Sequence, residues 1–200
     1  MKRTIRLLVL AGLIVLLAGC GSPVGEVGTE IISAEEALEL ISGDDVVLVD
    51  ARTTLDYRKG HVEGAVSISR ADIVVMEPVS NLLAPPEQIE AVMSDRGISN
   101  DTLVVIYDDN SNMDSARLWW TLKIYGHDLV KVVSGGLAAL RAEGVTETDA
   151  VPAARSATFT AGPLRSEMLA TQADVRAQVN EPDANTVIID TRSEEEYAEG

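Results

Sequence analysis

Cysteine is almost missing: the 200-residue sequence has one, Cys20, and none after it. The folded body therefore has no disulfide, no thiolate metal site and no thiol nucleophile of its own. Positive charge is also scarce, 16 lysines and arginines against 32 aspartates and glutamates, for a net charge of -16. No basic face remains to neutralise phosphates, so no nucleic acid partner is expected and the surface should be acidic and well hydrated. Aromatic residues make up 4%, histidine occurs twice, and no cofactor motif or set of metal ligands stands out. What is present, 46% hydrophobic and 24% charged residues, rules out disorder and fibrous repeats. It fits one globular domain with a remainder, or two small domains.

The N-terminal segment reads as a targeting signal. Lys2, Arg3 and Arg6 form a positive stretch, and Leu7 to Leu17 form an apolar one too short to span a bilayer comfortably. Leu17-Ala18-Gly19-Cys20 resembles the lipobox of bacterial lipoproteins. The resemblance implies a signal peptide over residues 1–19, cleavage before Cys20 and lipidation of that cysteine. The protein would then be lipid-anchored to the cell membrane or outer membrane on its extracytoplasmic side. Residues 20–29, with Gly21, Gly25 and Gly28, read as a flexible tether.

Beyond the tether, β-branched runs alternate with helical patterns. Val46-Val47-Leu48-Val49 and Leu103-Val104-Val105-Ile106 are apolar on both sides and too short for helices, as buried parallel strands are. Weaker strands are expected at 65–68 and 129–133. Ser33 with Glu36 opens a helix to about Ile41, a second begins after a proline pair and runs from Pro86 to Arg96, and a third runs from Asp114 to Tyr125 and closes at Gly126. This βαβα alternation predicts an α/β fold whose central parallel sheet is covered on both faces. Residues 146–165, with Pro152 and Pro163, show little periodicity and read as a linker.

A repeat at a spacing of 140 residues organises the rest. Residues 47–60 align without gaps on residues 187–200, and Val, Asp, Arg, Tyr and Gly are identical in the two. Upstream, Thr171 with Asp174 repeats Ser33 with Glu36. Residues 30–145 are thus expected to form one whole domain and residues 166–200 only the start of a second. A lone parallel strand cannot cover its own faces or satisfy its edges, so the expectation is that the remainder of the second domain lies beyond Gly200.

Asp50-Ala51-Arg52, followed by Asp56-Tyr57-Arg58-Lys59-Gly60-His61-Val62-Glu63-Gly64-Ala65, resembles the first signature of the rhodanese (sulfurtransferase) family. Gly135-Gly136 resembles the family's later Gly-Gly turn, and residues 116–127 resemble the first domain of tandem thiosulfate and mercaptopyruvate sulfurtransferases. The resemblance implies a rhodanese-like three-layer α/β/α fold, then the opening of a second copy. In that copy Asp190, Arg192, Tyr197 and Gly200 stand where Asp50, Arg52, Tyr57 and Gly60 stand in the first. It implies cofactor-free transfer of sulfur from thiosulfate or 3-mercaptopyruvate, both small sulfur-containing anions, to a thiophile such as cyanide.

In active rhodaneses the nucleophilic cysteine begins the loop after the strand at 103–106. Here that place holds Asp108, in Tyr107-Asp108-Asp109-Asn110-Ser111-Asn112-Met113-Asp114. A carboxylate cannot carry sulfane sulfur, and Asp108, Asp109 and Asp114 would repel an anionic donor, so this domain is expected to be non-catalytic. The alternative for the whole protein is a rhodanese-like lipoprotein that binds or regulates without catalysis. The loop itself is expected to be solvated, with Asp114 capping the next helix; the alternative is a divalent cation on the acidic cluster. Asp50 with Arg52 is expected as a structural ion pair, His61 as a side chain that orders its turn, and His127 as an imidazolium at a helix end. Of Trp119 and Trp120, one should pack on the sheet while the other, or Arg117, faces an interface.

Overall fold

The computed structural model describes residues 30–153 and 155–199. The expected signal peptide, Cys20, the tether and Gly200 lie outside these. The chain runs β1 (Ile31–Ile32), α1 (Ala34–Ile41), β2 (Val46–Asp50), α2 (Thr54–Lys59), β3 (His61–Val62), β4 (Val66–Ser67), β5 (Val74–Val75), β6 (Leu82–Leu83), α3 (Pro86–Asp95), β7 (Leu103–Tyr107), α4 (Met113–Ile124), β8 (Val130–Val133), α5 (Gly136–Ala142), β9 (Glu147–Thr148), α6 (Gln172–Asn180) and α7 (Glu194–Ala198). Among the described residues, no helix is long and apolar enough to cross a membrane.

Five strands pair in parallel in the order β1-β8-β7-β2-β4. Successive side chains of a strand point to opposite faces, and the two central strands use both. Val47, Val49, Val104 and Ile106 meet Ile89 and Met93 of α3 and Leu118 and Leu122 of α4 on one side. Leu48 and Val105 meet Ala37 of α1 and Leu137 and Leu140 of α5 on the other. The result is the three-layer α/β/α arrangement expected from the alternation of elements.

The helix starts follow from local chemistry. The Ser33 hydroxyl accepts the Glu36 amide at 3.1 Å, Pro86 occupies the first position of α3, and Thr53 caps α2 through the Asp56 amide at 3.1 Å. Parallel pairing sets Asp50 of β2 directly beside Tyr107 of β7, so the next residue, Asp108, leaves the sheet from its middle.

Residues 146–165 are not a free linker. Glu147–Thr148 pairs antiparallel with His61–Val62, the Gly162 amide donates to the Tyr125 carbonyl at 2.8 Å, and Arg165 forms a two-pronged ion pair with Asp128. Phe159, the single phenylalanine, is 3% exposed in the α3–α4 face of the core. An extended segment that contributes one large anchor shows no period, which is why its pattern read as a connection. The core around the sheet accordingly takes in residues up to Met168, which packs against it and accepts the Trp120 indole N–H at 3.0 Å.

Residues 166–199 hold the two short helices α6 and α7, each with a complete capping box, on Thr171 with Asp174 and on Ser193 with Glu196. The strand expected at Val187–Ile189 does not form; these three side chains are 79%, 54% and 75% exposed. All strands of the parallel sheet lie between residues 31 and 133, and a segment with no neighbouring strand has no ladder to join.

Phe159→Ala should lower the stability of the fold by about 3–5 kcal/mol, seen as a lower urea midpoint with an unchanged slope. A midpoint equal to the parent's would return residues 146–165 to the role of a linker.

Candidate functional site

The loop between β7 and α4 opens from the centre of the sheet, where an open α/β fold places its ligands. Asp108 begins this loop and is fully buried, not solvated. Its Oδ1 accepts the amides of Asn110 and Asn112 at 3.0 and 2.9 Å, and its Oδ2 accepts those of Asp114 and Ser115 at 2.9 and 2.8 Å. The cap on α4 is therefore the Asp108 carboxylate and not that of Asp114. Asp114 turns instead to the Arg70 guanidinium at 2.8 Å. Because both Asp108 oxygens face N–H donors, the surroundings of this carboxylate suit negative charge and not a cation.

Backbone geometry holds the loop in place. Ser111 and Asn112 are left-handed, with φ of 54° and 63°, and the Asn112 side-chain amide donates to the Val133 carbonyl at 3.0 Å. Behind the loop, the Leu137 amide donates to the Asp108 carbonyl at 2.7 Å, and a Cβ on residue 136 would collide with that same carbonyl. The Gly-Gly turn thus lets α5 approach the loop closely.

Beside it lies a second buried carboxylate. Arg52 grips Asp50 through Nε and Nη2, the latter at 2.6 Å, and the Tyr107 hydroxyl donates to Asp50 Oδ2 at 2.8 Å. Arg52 Nη2 also donates to the Gly60 carbonyl at 2.7 Å, and Nη1 lies 3.5 Å from the half-exposed Asp109. Burial works against the charge on Arg52, but the hydrogen bond and charge of Asp50 outweigh it and hold the guanidinium above its ordinary value. Burial, and then Asp50, push the Tyr107 phenol well up.

His61 is buried, stacked on Tyr57 at 3.7 Å, with Nδ1 2.9 Å from the Tyr57 carbonyl. Its Nε2 has no hydrogen-bond partner among the described residues, and it makes no bond to the Asp108 loop. The Tyr57 hydroxyl donates to the Ala65 carbonyl at 2.9 Å, and Gly64 takes a left-handed φ of 83°, which closes the signature turn. These bonds order the turn.

His127 corrects an expectation. It is 2% exposed, tilted against Phe159, with Nε2 3.0 Å from the Leu129 carbonyl, and burial lowers its pKa below 6.5. The site favours neutral imidazole, not the imidazolium that a helix end suggests. Trp119 and Trp120 also divide less sharply than adjacency suggests, since both are half-buried against the α3–α4 side of the core. Arg117 lies 4.9 Å over the Trp120 ring and donates to the Asn81 carbonyl at 2.8 Å.

The repeated signature keeps its local bonds. Arg192 holds Asp190 through Nε and Nη2, and its Nη1 donates to the Glu196 carbonyl at 3.1 Å. Tyr197, in contrast to the buried Tyr57, is exposed.

A model of the rhodanese-like domain matches residues 33–143. A Mycobacterium bovis protein named as a thiosulfate sulfurtransferase is 30% identical over 171 residues, covering 84% of this chain and 59% of its own length. The chain thus spans about three fifths of that curated relative. The Escherichia coli protein SseA, described among 3-mercaptopyruvate sulfotransferases, superposes with a TM-score of 0.70 at 23% identity, over 77% of this chain and 63% of SseA. The 3-mercaptopyruvate sulfurtransferase of Leishmania major gives a TM-score of 0.64 at 23% identity, over 84% of this chain and 48% of its own. Both structural likenesses are of fold.

Two measurements follow from the geometry. Arg52→Met leaves the Asp50 carboxylate buried without its cation and should cost about 3–5 kcal/mol in urea unfolding, whereas Arg192→Met, on the exposed pair, should leave the transition in place. His127 takes up a proton more readily unfolded than folded. Its contribution is whole above pH 6.5 and lost as the pH falls below it, so the parent's stability should decline below that point more steeply than that of His127→Gln.

Proposed function

Because the chain belongs to the rhodanese-like domain family, we propose that it carries the non-catalytic first unit and the opening of the second unit of a tandem sulfurtransferase. The observation that carries the reading is the repeat itself: the Asp–Arg pair of β2 returns 140 residues later with the same two-pronged bonds, at Asp190 and Arg192. The span of about three fifths of the M. bovis relative agrees with one unit and the start of another.

The reaction proposed for the whole protein is sulfur transfer from thiosulfate or 3-mercaptopyruvate to a thiophile such as cyanide. A thiolate attacks the outer sulfur of thiosulfate, sulfite leaves, and the persulfide passes its sulfur to cyanide as thiocyanate. No residue after Cys20 in this sequence can hold that persulfide, so this reading assigns the nucleophile to the second unit of the longer protein. A signal peptide over residues 1–19 and a lipid on Cys20 would set the protein on the extracytoplasmic side of a membrane. The second reading, a lipoprotein that binds or regulates without catalysis, draws on Asp108, a carboxylate at the head of the β7–α4 loop.

The chain of 200 residues should show no thiosulfate:cyanide turnover above background, and a chain extended through a complete second unit should show it. An extended protein that folds and remains inactive with both donors would favour the binding module. For the anchor, expression in a bacterium should give a detergent-partitioning protein that incorporates labelled fatty acid, and Cys20→Ser should abolish both. Label retained after the Cys20→Ser substitution would remove the lipoprotein assignment.

A further inference from the structure

The Asp108 loop has the parts of an anion-binding site and an anion already in it. We propose that Asp108 is the built-in occupant of this cradle: its carboxylate takes the amides that would otherwise hold a small oxyanion, and the unmodified unit therefore binds no such ligand there. The inference rests on the loop alone and stands whether or not the longer protein transfers sulfur.

The four amide bonds come from two structures. Asn110 and Asn112 lie in the loop, while Asp114 and Ser115 lie in the first turn of α4, whose N-terminal end favours negative charge. A side chain that only capped the helix would need the second pair; Asp108 takes both pairs and is fully buried while doing so. The neighbouring carboxylates do not compete for the same donors, since Asp114 is held by Arg70 and Asp109 lies beside Arg52. Ser115 adds an independent observation. It is fully buried in that first turn, and its hydroxyl has no partner among the described residues, leaving a spare donor next to the amide already used.

Left-handed Ser111 and Asn112 show what the occupant accomplishes. Two consecutive non-glycine residues in this region are unfavourable, and they turn the loop amides inward. A carboxylate attached to the chain can offset that cost at every moment, without the entropy loss of capturing a ligand from solution. The unit thus keeps the loop conformation of an anion-bound state with no anion to bind.

Formate, a carboxylate free of the chain, is the probe. Asp108→Gly removes the occupant and opens room for it; Asp108→Asn keeps the cradle filled with a neutral group whose NH2 confronts amide donors. With formate and chloride compared at equal ionic strength, formate should raise the melting temperature of the Gly variant by about 3 °C or more, and should leave the parent and the Asn variant at their chloride values. If the Gly variant is unfolded alone, formate should refold it. Amide exchange in the parent should show Asn110, Asn112, Asp114 and Ser115 protected together. Formate acting no better than chloride on the Gly variant, formate stabilising the parent equally, or free exchange at these four amides would each overturn the proposal.

Discussion

The structure depends on a carboxylate taken out of water. Asp50 ends β2, flanked by β7 and β4, where no solvent can hydrate its charge. Its carboxylate is bonded by Arg52, two residues on, and by the Tyr107 hydroxyl from the neighbouring strand. Those partners have further duties. Arg52 reaches the turn after α2 through the Gly60 carbonyl and approaches the next loop through Asp109; the Tyr107 oxygen accepts the Val62 amide at 3.1 Å. One buried charge thereby fixes the end of β2, the signature turn, the end of β7 and the start of the α4 loop relative to one another. Hydrogen bonds in such low-dielectric surroundings are strong when complete and costly when broken, which makes this network a single unit.

Asp50 and Asp108 meet the same difficulty by different means. They sit at the ends of adjacent parallel strands, both fully buried. Asp50 is balanced by a full positive charge in planar two-pronged contact, whereas Asp108 is balanced by partial charges spread over four amides. In the first arrangement a long side chain supplies the cation, and a single backbone amide, that of Arg52, adds a bond at 3.0 Å. The second is made of backbone, so it dictates the backbone's path, down to the left-handed residues at 111 and 112. A loop built in this second way is able to hold an anion, and in this chain the capacity is spent on the fold.

Much of this was legible in the sequence, and the division follows the range of the forces involved. The runs at 46–49 and 103–106, the Ser33 cap, the proline start of α3 and the Asp50–Arg52 pair are set by residues within a few positions of one another, so pattern finds them. Phe159 was not legible. Its burial depends on a face completed by α3 and α4, and its surroundings in sequence are prolines, alanines and threonines without a period. Of the loop expected to be solvated, Asp109, Asn110 and Ser111 are exposed but Asp108 is buried, for a related reason. A run of Asp, Asn and Ser looks hydrophilic, and only the closed backbone turns its amides onto one carboxylate and buries it. His127 failed likewise: the helix-end rule considers the dipole, while desolvation by Phe159 and its surroundings decides the protonation state.

The repeat separates these ranges within one molecule. At residues 187–199 the Asp–Arg pair and the short helix capped by a hydroxyl, Ser193 here and Thr53 there, form as they do at 47–59, because their partners are at most four residues apart. The strand and the tyrosine do not follow. Val47 and Val49 are buried because β7 and β4 flank them and α3 and α4 cover them, and Tyr57 is buried with its hydroxyl on the Ala65 carbonyl; Val187, Ile189 and Tyr197 have no such neighbours and remain exposed. The same short sequence therefore carries a complete instruction for its hydrogen bonds and an incomplete one for its burial. Local bonds to side chains that stay in water contribute little net stability, whereas apolar burial supplies the driving force, so the signature marks where a unit of this fold begins without being able to make one.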